Sequence, residues 1–149
     1  MNPHRSFPAV LLALALGVPF GQGCGGSGTP GPTTPGAVGI SGTYQIVQQN
    51  VENTCGDTGT PQNVQGTVTQ TQGSTAFVLR DTGGTTFSGD VQTNGSFTAT
   101  AVFGPDAGGQ TYTQRLTGTF TGNGFTARLS VDVTPRNCHF TRDWTGTKS

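Results

Sequence analysis

The residues able to carry chemistry are few. Beyond Cys24 the chain holds one histidine, His139, and seven carboxylates. A Ser–His–acid relay needs that histidine as its base, with neighbours to orient it. Strand alternation points His139 away from Cys138 and Phe140, toward solvent, so it reads as a surface histidine. A metal site needs several convergent ligands, yet Asp57, Asp90, Asp106 and Asp132 fall in different turns and strands. Glu52 and Asp57 flank a Gly-rich loop that would hold Ca²⁺ only weakly, and solvated loop charges are the default reading. No carboxylate spacing marks a glycosidase pair. Gly83-Gly84 and the stretch 104–109 read as hairpin connections, with no helix following to seat a phosphate. The expectation is therefore a protein with no catalytic residues, no cofactor and no metal. A hydrolase built on an unrecognised carboxylate site is the disfavoured alternative.

Arg142 is the more informative charge. It shares strand parity with Phe140 and Trp144, so if those rings face a core, Arg142 does too. A buried arginine needs partners. It would close one end of the domain by stacking on a ring, bind a ligand's carboxylate, or lie at a rim with its head in water. Arg142, Trp144 and Tyr44 are the candidate ligand contacts. Seven basic against seven acidic residues leave nothing to attract a polyanion, which argues against nucleic acid as a partner.

The N-terminus reads as an address. His4 and Arg5 precede an apolar run at 8–20, too short for a comfortable transmembrane helix and of the right length for a secretory signal. Gly21-Gln22-Gly23-Cys24 follows, and it resembles the N-terminus of bacterial lipoproteins, whose cysteine is diacylated on sulfur and becomes the first mature residue. Gly23 fits the small residue before that cysteine; Gly21 stands where Leu is usual and Gln22 where a small residue is usual. The resemblance implies a signal at 1–23, lipidation at Cys24, a membrane contact through the lipid, and a place in the bacterial cell envelope, on the outer membrane or periplasmic face. The alternative is cleavage at Gly21-Gln22-Gly23, releasing a secreted, soluble protein with a free Cys24. Residues 24–40, rich in Gly, Pro and Thr, read as a tether.

Positioning falls to residues 41–149, where Thr and Gly dominate and apolar residues alternate with polar ones. Tyr44 and Ile46 open the first strand, with Val64/Val68, Phe77/Leu79 and Phe87/Val91 on the next three. Phe97 to Phe103, Tyr112 to Phe120, Phe125 to Val133 and Cys138 to Trp144 complete eight. Asn94-Gly95 and Asn123-Gly124 read as type I′ hairpin turns. The string Phe87-Ser88-Gly89-Asp90-Val91 before Asn94-Gly95 is echoed by Leu116-Thr117-Gly118-Thr119-Phe120 before Asn123-Gly124, a repeated hairpin device. The expected fold is all-β: an up-and-down antiparallel meander of about eight strands, forming a closed or nearly closed barrel.

If Cys24 carries lipid, Cys55 and Cys138 remain, in a compartment that permits oxidation. Closure of a meander sets the first and last strands side by side, so a Cys55–Cys138 disulfide would lock it. Ser41-Gly42-Thr43-Tyr44 opening the first strand and Trp144-Thr145-Gly146-Thr147 closing the last are similar to small calycin-type barrels, the lipocalin and avidin superfamily. There a Gly-x-Trp element begins the first strand; Tyr44 stands in place of that Trp. The functional expectation is a tethered, non-catalytic envelope module with a structural or protein-interaction role. The alternative is lipocalin-like binding of a small apolar or amphipathic ligand within the barrel.

Overall fold

The computed structural model describes residues 39–56 and 62–149. The signal, Cys24, most of the tether and Asp57 lie outside the described residues. Eight strands follow in order: β1 (Gly42–Asn53), β2 (Val64–Gln70), β3 (Ala76–Asp81), β4 (Thr86–Val91), β5 (Ser96–Phe103), β6 (Thr111–Thr121), β7 (Gly124–Thr134) and β8 (Cys138–Lys148). Each pairs antiparallel with the next, and β8 returns to β1 to close the barrel. Closure removes the free sheet edges that an open meander of this composition would expose.

The inward face carries the apolar residues of the alternation, and the outward face carries mainly Thr, Ser, Gln and charged side chains. A barrel polar outside and apolar inside is the inverse of a lipid-facing one. The end where β1 begins is filled by rings from five strands: Tyr44, Phe77, Phe97, Phe120 and Phe125, with centroids 4.7–6.1 Å apart. Ile40 is buried against this end, and the Tyr44 hydroxyl donates to its carbonyl at 2.7 Å. We refer to it as the aromatic end and to the opposite one as the disulfide end.

Glycine makes room for these rings. A Cβ on Gly146 would collide with the Phe125 ring directly across the ladder, and one on Gly66 would lie 2.7 Å from Ile46 Cδ1. Small inward residues thus complement large neighbours in a tapered interior.

The hairpins differ from the type I′ expectation. Asn94 and Asn123 both have negative φ; the left-handed residues are Gly95 (φ 83°) and Gly122 (φ 51°). In the β4–β5 loop the Gly95 N–H donates to Gln92 O at 2.9 Å, and Gln92 N–H donates to Ser96 O at 2.7 Å. That is a three-residue loop, a type I turn closed by a left-handed glycine, in which only the glycine needs positive φ. The β3–β4 loop repeats it through Asp81, Gly84 and Thr85, and the β5–β6 loop through Asp106, Gly109 and Gln110. The β6–β7 hairpin does not share it: Thr121 pairs with Gly124, so its two-residue loop is Gly122-Asn123 and Gly124 already belongs to β7.

One irregularity in the β1–β8 ladder organises the disulfide end. The register slips between Asn50 and Glu52, leaving Val51 as an extra residue on β1. Unbroken alternation from Tyr44, Ile46 and Gln48 would place Glu52 inward and Cys55 outward. The bulge reverses both. Asn53 then pairs with inward-facing Phe140, and Cys55 reaches Cys138 with a Cα–Cα distance of 5.0 Å, forming the disulfide across 83 residues of sequence.

Candidate binding rim at the disulfide end

Arg142 lies on the inward face of β8 and is half-buried. Its Nε donates to Asn50 Oδ1 at 2.9 Å and its Nη1 to Gln48 Oε1 at 3.1 Å. The guanidinium carbon sits 5.1 Å from the centroid of Phe140, within cation–π range. Burial pushes its pKa down, so the fold works against the charge and these contacts hold it. Of the three placements open from the sequence, the structure shows Arg142 facing inward and stacked on a ring at one barrel end.

Gln48 is the only buried polar residue among those described, at 7% exposure. It is directly opposite Trp144 in the β1–β8 ladder, and Arg142 is one inward position further along. Trp144 is 2% exposed and packs edge-on against Phe87, with centroids 5.6 Å apart. Its Nε1–H is buried with no hydrogen-bond partner. An indole N–H left unpaired in a core costs about 1–3 kcal/mol, and native interiors seldom carry one.

Beyond this polar group the rim is aromatic. Phe103 is 55% exposed and Val102 70%, on the last two residues of β5. Phe103 packs on Tyr112, centroids 5.8 Å apart. The Tyr112 hydroxyl donates to Asp106 Oδ2 at 2.9 Å, while Asp106 Oδ1 accepts from the backbone N–H of Gly108 at 2.8 Å and of Gln110 at 2.9 Å. The Gln110 N–H and then the Tyr112 hydroxyl hold the Asp106 pKa below the ordinary carboxylate range. This makes 104–110 a braced loop. A small cavity of about 80 Å³ lies further round the rim, lined by Cys55, Gln110, Tyr112, Val133, Arg136 and Phe140.

The structure therefore brings Arg142 and Trp144 together and sets Tyr44 apart. Tyr44 shares their face of the wall but lies buried in the ring cluster at the aromatic end. Strand parity gives the face and not the height. Gln48 was as legible as Arg142, by parity with Tyr44 and Ile46; its type, unusual for an interior, is the signal that finds it.

A second group resembles a catalytic relay. His139 is exposed as expected, and its Nε2 lies 3.1 Å from Glu52 Oε1, with Thr54 Oγ1 3.4 Å from Nδ1. Glu52 is in β1, not in a loop as its sequence neighbourhood suggests, and the bulge turns it outward to meet the ring. The hydroxyl is otherwise engaged: Thr54 Oγ1 donates to His139 O at 2.9 Å and accepts from His139 N–H at 2.9 Å. With its proton given to a carbonyl, it has none to give the imidazole, so the relay has no activated nucleophile. The arrangement clamps the end of β1 to β8. Among the described residues no group of three His, Cys, Asp or Glu is placed to hold a metal ion.

Three shallow depressions lie on the outer face, of about 510, 450 and 410 Å³. Thr, Ser and Gln contribute most of their polar lining, and Arg128 meets Asp143 in the largest through two hydrogen bonds of 2.8 and 3.1 Å. They are open to water and converge on no reactive group. In comparisons with known proteins, no family model, no curated protein and no solved structure matches this chain.

Proposed function

We propose that the chain is a non-catalytic module of the bacterial cell envelope, tethered by a lipid on Cys24, that engages a protein partner with the disulfide end of its barrel. The observation carrying this reading is the division of labour between the two ends. The polypeptide enters the barrel at the aromatic end, which Ile40 and the ring cluster fill, whereas Val102, Phe103 and the braced loop 104–110 stand exposed at the other. A tether joined at the filled end leaves the exposed rim free to meet something else. Exposed aromatic and aliphatic side chains beside a rigid loop are what interface centres use.

Two measurements test it. Metabolically supplied palmitate should label the wild-type chain and not a Cys24→Ser variant; equal labelling of both refutes the anchor. A photo-crosslinking residue at position 103 should trap a discrete envelope protein, one that the same residue at position 126 on the outer wall does not. Identical products from the two positions would refute the rim.

The unpartnered Trp144 N–H favours a second reading, in which the same end admits a small ligand into the mouth of the barrel.

A further inference from the structure

Two strands of the barrel carry a glycine between large inward residues: Gly89 between Phe87 and Val91, and Gly118 between Leu116 and Phe120. The four large residues are buried, yet both glycines are partly open to solvent. Their ladder partners are small, Ala99 for Gly89 and Ala127 for Gly118. A Cβ on either glycine would lie 2.6–2.7 Å from its partner's Cα, so the backbones approach closely and the wall is thin at both places.

The three outer depressions form over these glycines and run together. Those of 510 and 410 Å³ share Thr117 and Gly118; those of 410 and 450 Å³ share Asp90, and Gly89 lies in the last. Along their length the ladder sets Asp143, Arg128, Thr117, Thr98 and Asp90 opposite one another, from β8 to β4. The result is one trough that crosses the strands, with a new contact about every 4.8 Å. Its chemistry narrows what it can hold. Arg128 and Asp143 neutralise each other, so Asp90 is the one net charge of the lining, and a polyanion finds nothing there. Val78 is the one exposed large apolar side chain in it, too little to anchor a protein interface. Thr and Ser hydroxyls and Gln amides each offer both a donor and an acceptor, which suits a ligand carrying hydroxyls on every unit. Thr75 Oγ1 donates to Asp90 Oδ1 at 2.9 Å, which fixes the carboxylate where two depressions meet and leaves Oδ2 to accept from such a hydroxyl.

We infer that this trough binds an extended, uncharged glycan chain laid across the strands. The strand spacing is close to the length of one pyranose ring in such a chain, so sugars meet the wall at about one per strand. Their hydroxyls pair with Thr117, Thr98 and Asp90, and Ala76 and Val78 offer apolar contact to a ring's C–H face at the β3 end. The site uses no residue of the disulfide-end rim and stands or falls separately from it.

The full chain, as exported and processed by a bacterial host, is titrated with glucose, cellopentaose and chitopentaose while its backbone amides are followed in nitrogen–proton correlation spectra. The expected result is saturable movement of the Asp90, Thr98, Thr117 and Gly118 amides with at least one pentasaccharide and none with glucose. Thr98→Val with Thr117→Val keeps a β-branched side chain on each strand, so the barrel persists. It should weaken the pentasaccharide by about tenfold, the scale of two lost hydrogen bonds. Thr67→Val with Thr86→Val, outside the trough, should leave binding unchanged. Movement confined to Val102, Phe103 and the loop 104–110 would overturn the trough and move the sugar to the rim. An equal response to glucose, an unaltered affinity in the Thr98/Thr117 variant, or no response to either pentasaccharide would also overturn it.

Discussion

Reducing the Cys55–Cys138 disulfide should cost this barrel most of its stability margin. The bridge spans 83 residues, which on the chain-entropy relation corresponds to about 4.5 kcal/mol taken from the unfolded state. A domain of about 110 residues has a total of roughly 5–15 kcal/mol, and each kcal/mol moves its melting temperature by about 4 °C. The expected loss is therefore about 15–20 °C. The effect should lie in the unfolded chain, because the β1–β8 ladder already joins the same two strands from Tyr44–Lys148 to Asn53–Phe140. Urea unfolding of oxidised and reduced protein gives the test. Reduction should lower the midpoint and raise the urea dependence, since an uncrosslinked unfolded chain exposes more surface. Cys55→Ala with Cys138→Ala should lose somewhat more, because Cys55 is packed in the core and its sulfur leaves a void. A reduced protein that loses less than about 1 kcal/mol, with unchanged urea dependence, would refute the entropic account and place closure in the seam itself.

Gly118→Ala should destabilise the barrel by roughly 2–3 kcal/mol in urea unfolding, since the new Cβ would be driven into Thr126 O and lie 2.7 Å from Ala127 Cα, both on β7's rigid backbone. Gly73→Ala meets nothing within 4 Å; its smaller loss would come from its φ of 75° alone. Tyr44→Phe removes the buried hydrogen bond to Ile40 O and should cost about 1 kcal/mol, with faster amide exchange confined to the aromatic end. Asp106 has a folded pKa below its unfolded one, so its contribution is complete above the ordinary carboxylate range and is lost as pH falls through the folded value. Amide exchange of Gly108 and Gln110 should therefore quicken, relative to the intrinsic rate, on acidification. Asp106→Asn should abolish that pH dependence, and persistence of it in the variant would contradict the assignment.

Alternation carries far in this chain because each strand has one apolar face, and a slip of one residue would expose all of it. The eight strands, their inward residues and the inward course of Arg142 follow from that one rule, and the cysteine pairing from closure of the meander. It fails where the backbone departs from period two. The extra residue at Val51 leaves no mark on the composition, yet it decides that Cys55 faces in and Glu52 faces out. Turn class was misleading for a related reason. Asn-Gly permits a type I′ turn, but loop length is set by where the flanking ladders end: at Asn94-Gly95 a three-residue loop puts the left-handed conformation on glycine alone, and at Asn123-Gly124 the ladder runs to Gly124, so the turn is Gly122-Asn123. The Thr54–His139 clamp was hidden because its partners are 85 residues apart, and no local pattern encodes a contact made only on closure.

That last point applies to the whole candidate site. Gln48 and Asn50 come from β1, Arg142 and Trp144 from β8, and the disulfide and the Glu52–His139 pair tie the same two strands. In a meander these are the strands furthest apart in sequence, so the seam between them is the contact with the greatest loop-closure cost. The polar group does not exist in an open sheet; closing the barrel assembles it. A ligand held there would bind only the closed form, and at a hundredfold excess over its dissociation constant would stabilise it by about 2.7 kcal/mol. That is a substantial part of what the disulfide supplies, and it acts on the same seam from the folded side. The long covalent tie thus sits at the closure that is most expensive to make, locking from the unfolded side the seam that the β1–β8 ladder and the polar group it assembles hold from the folded side.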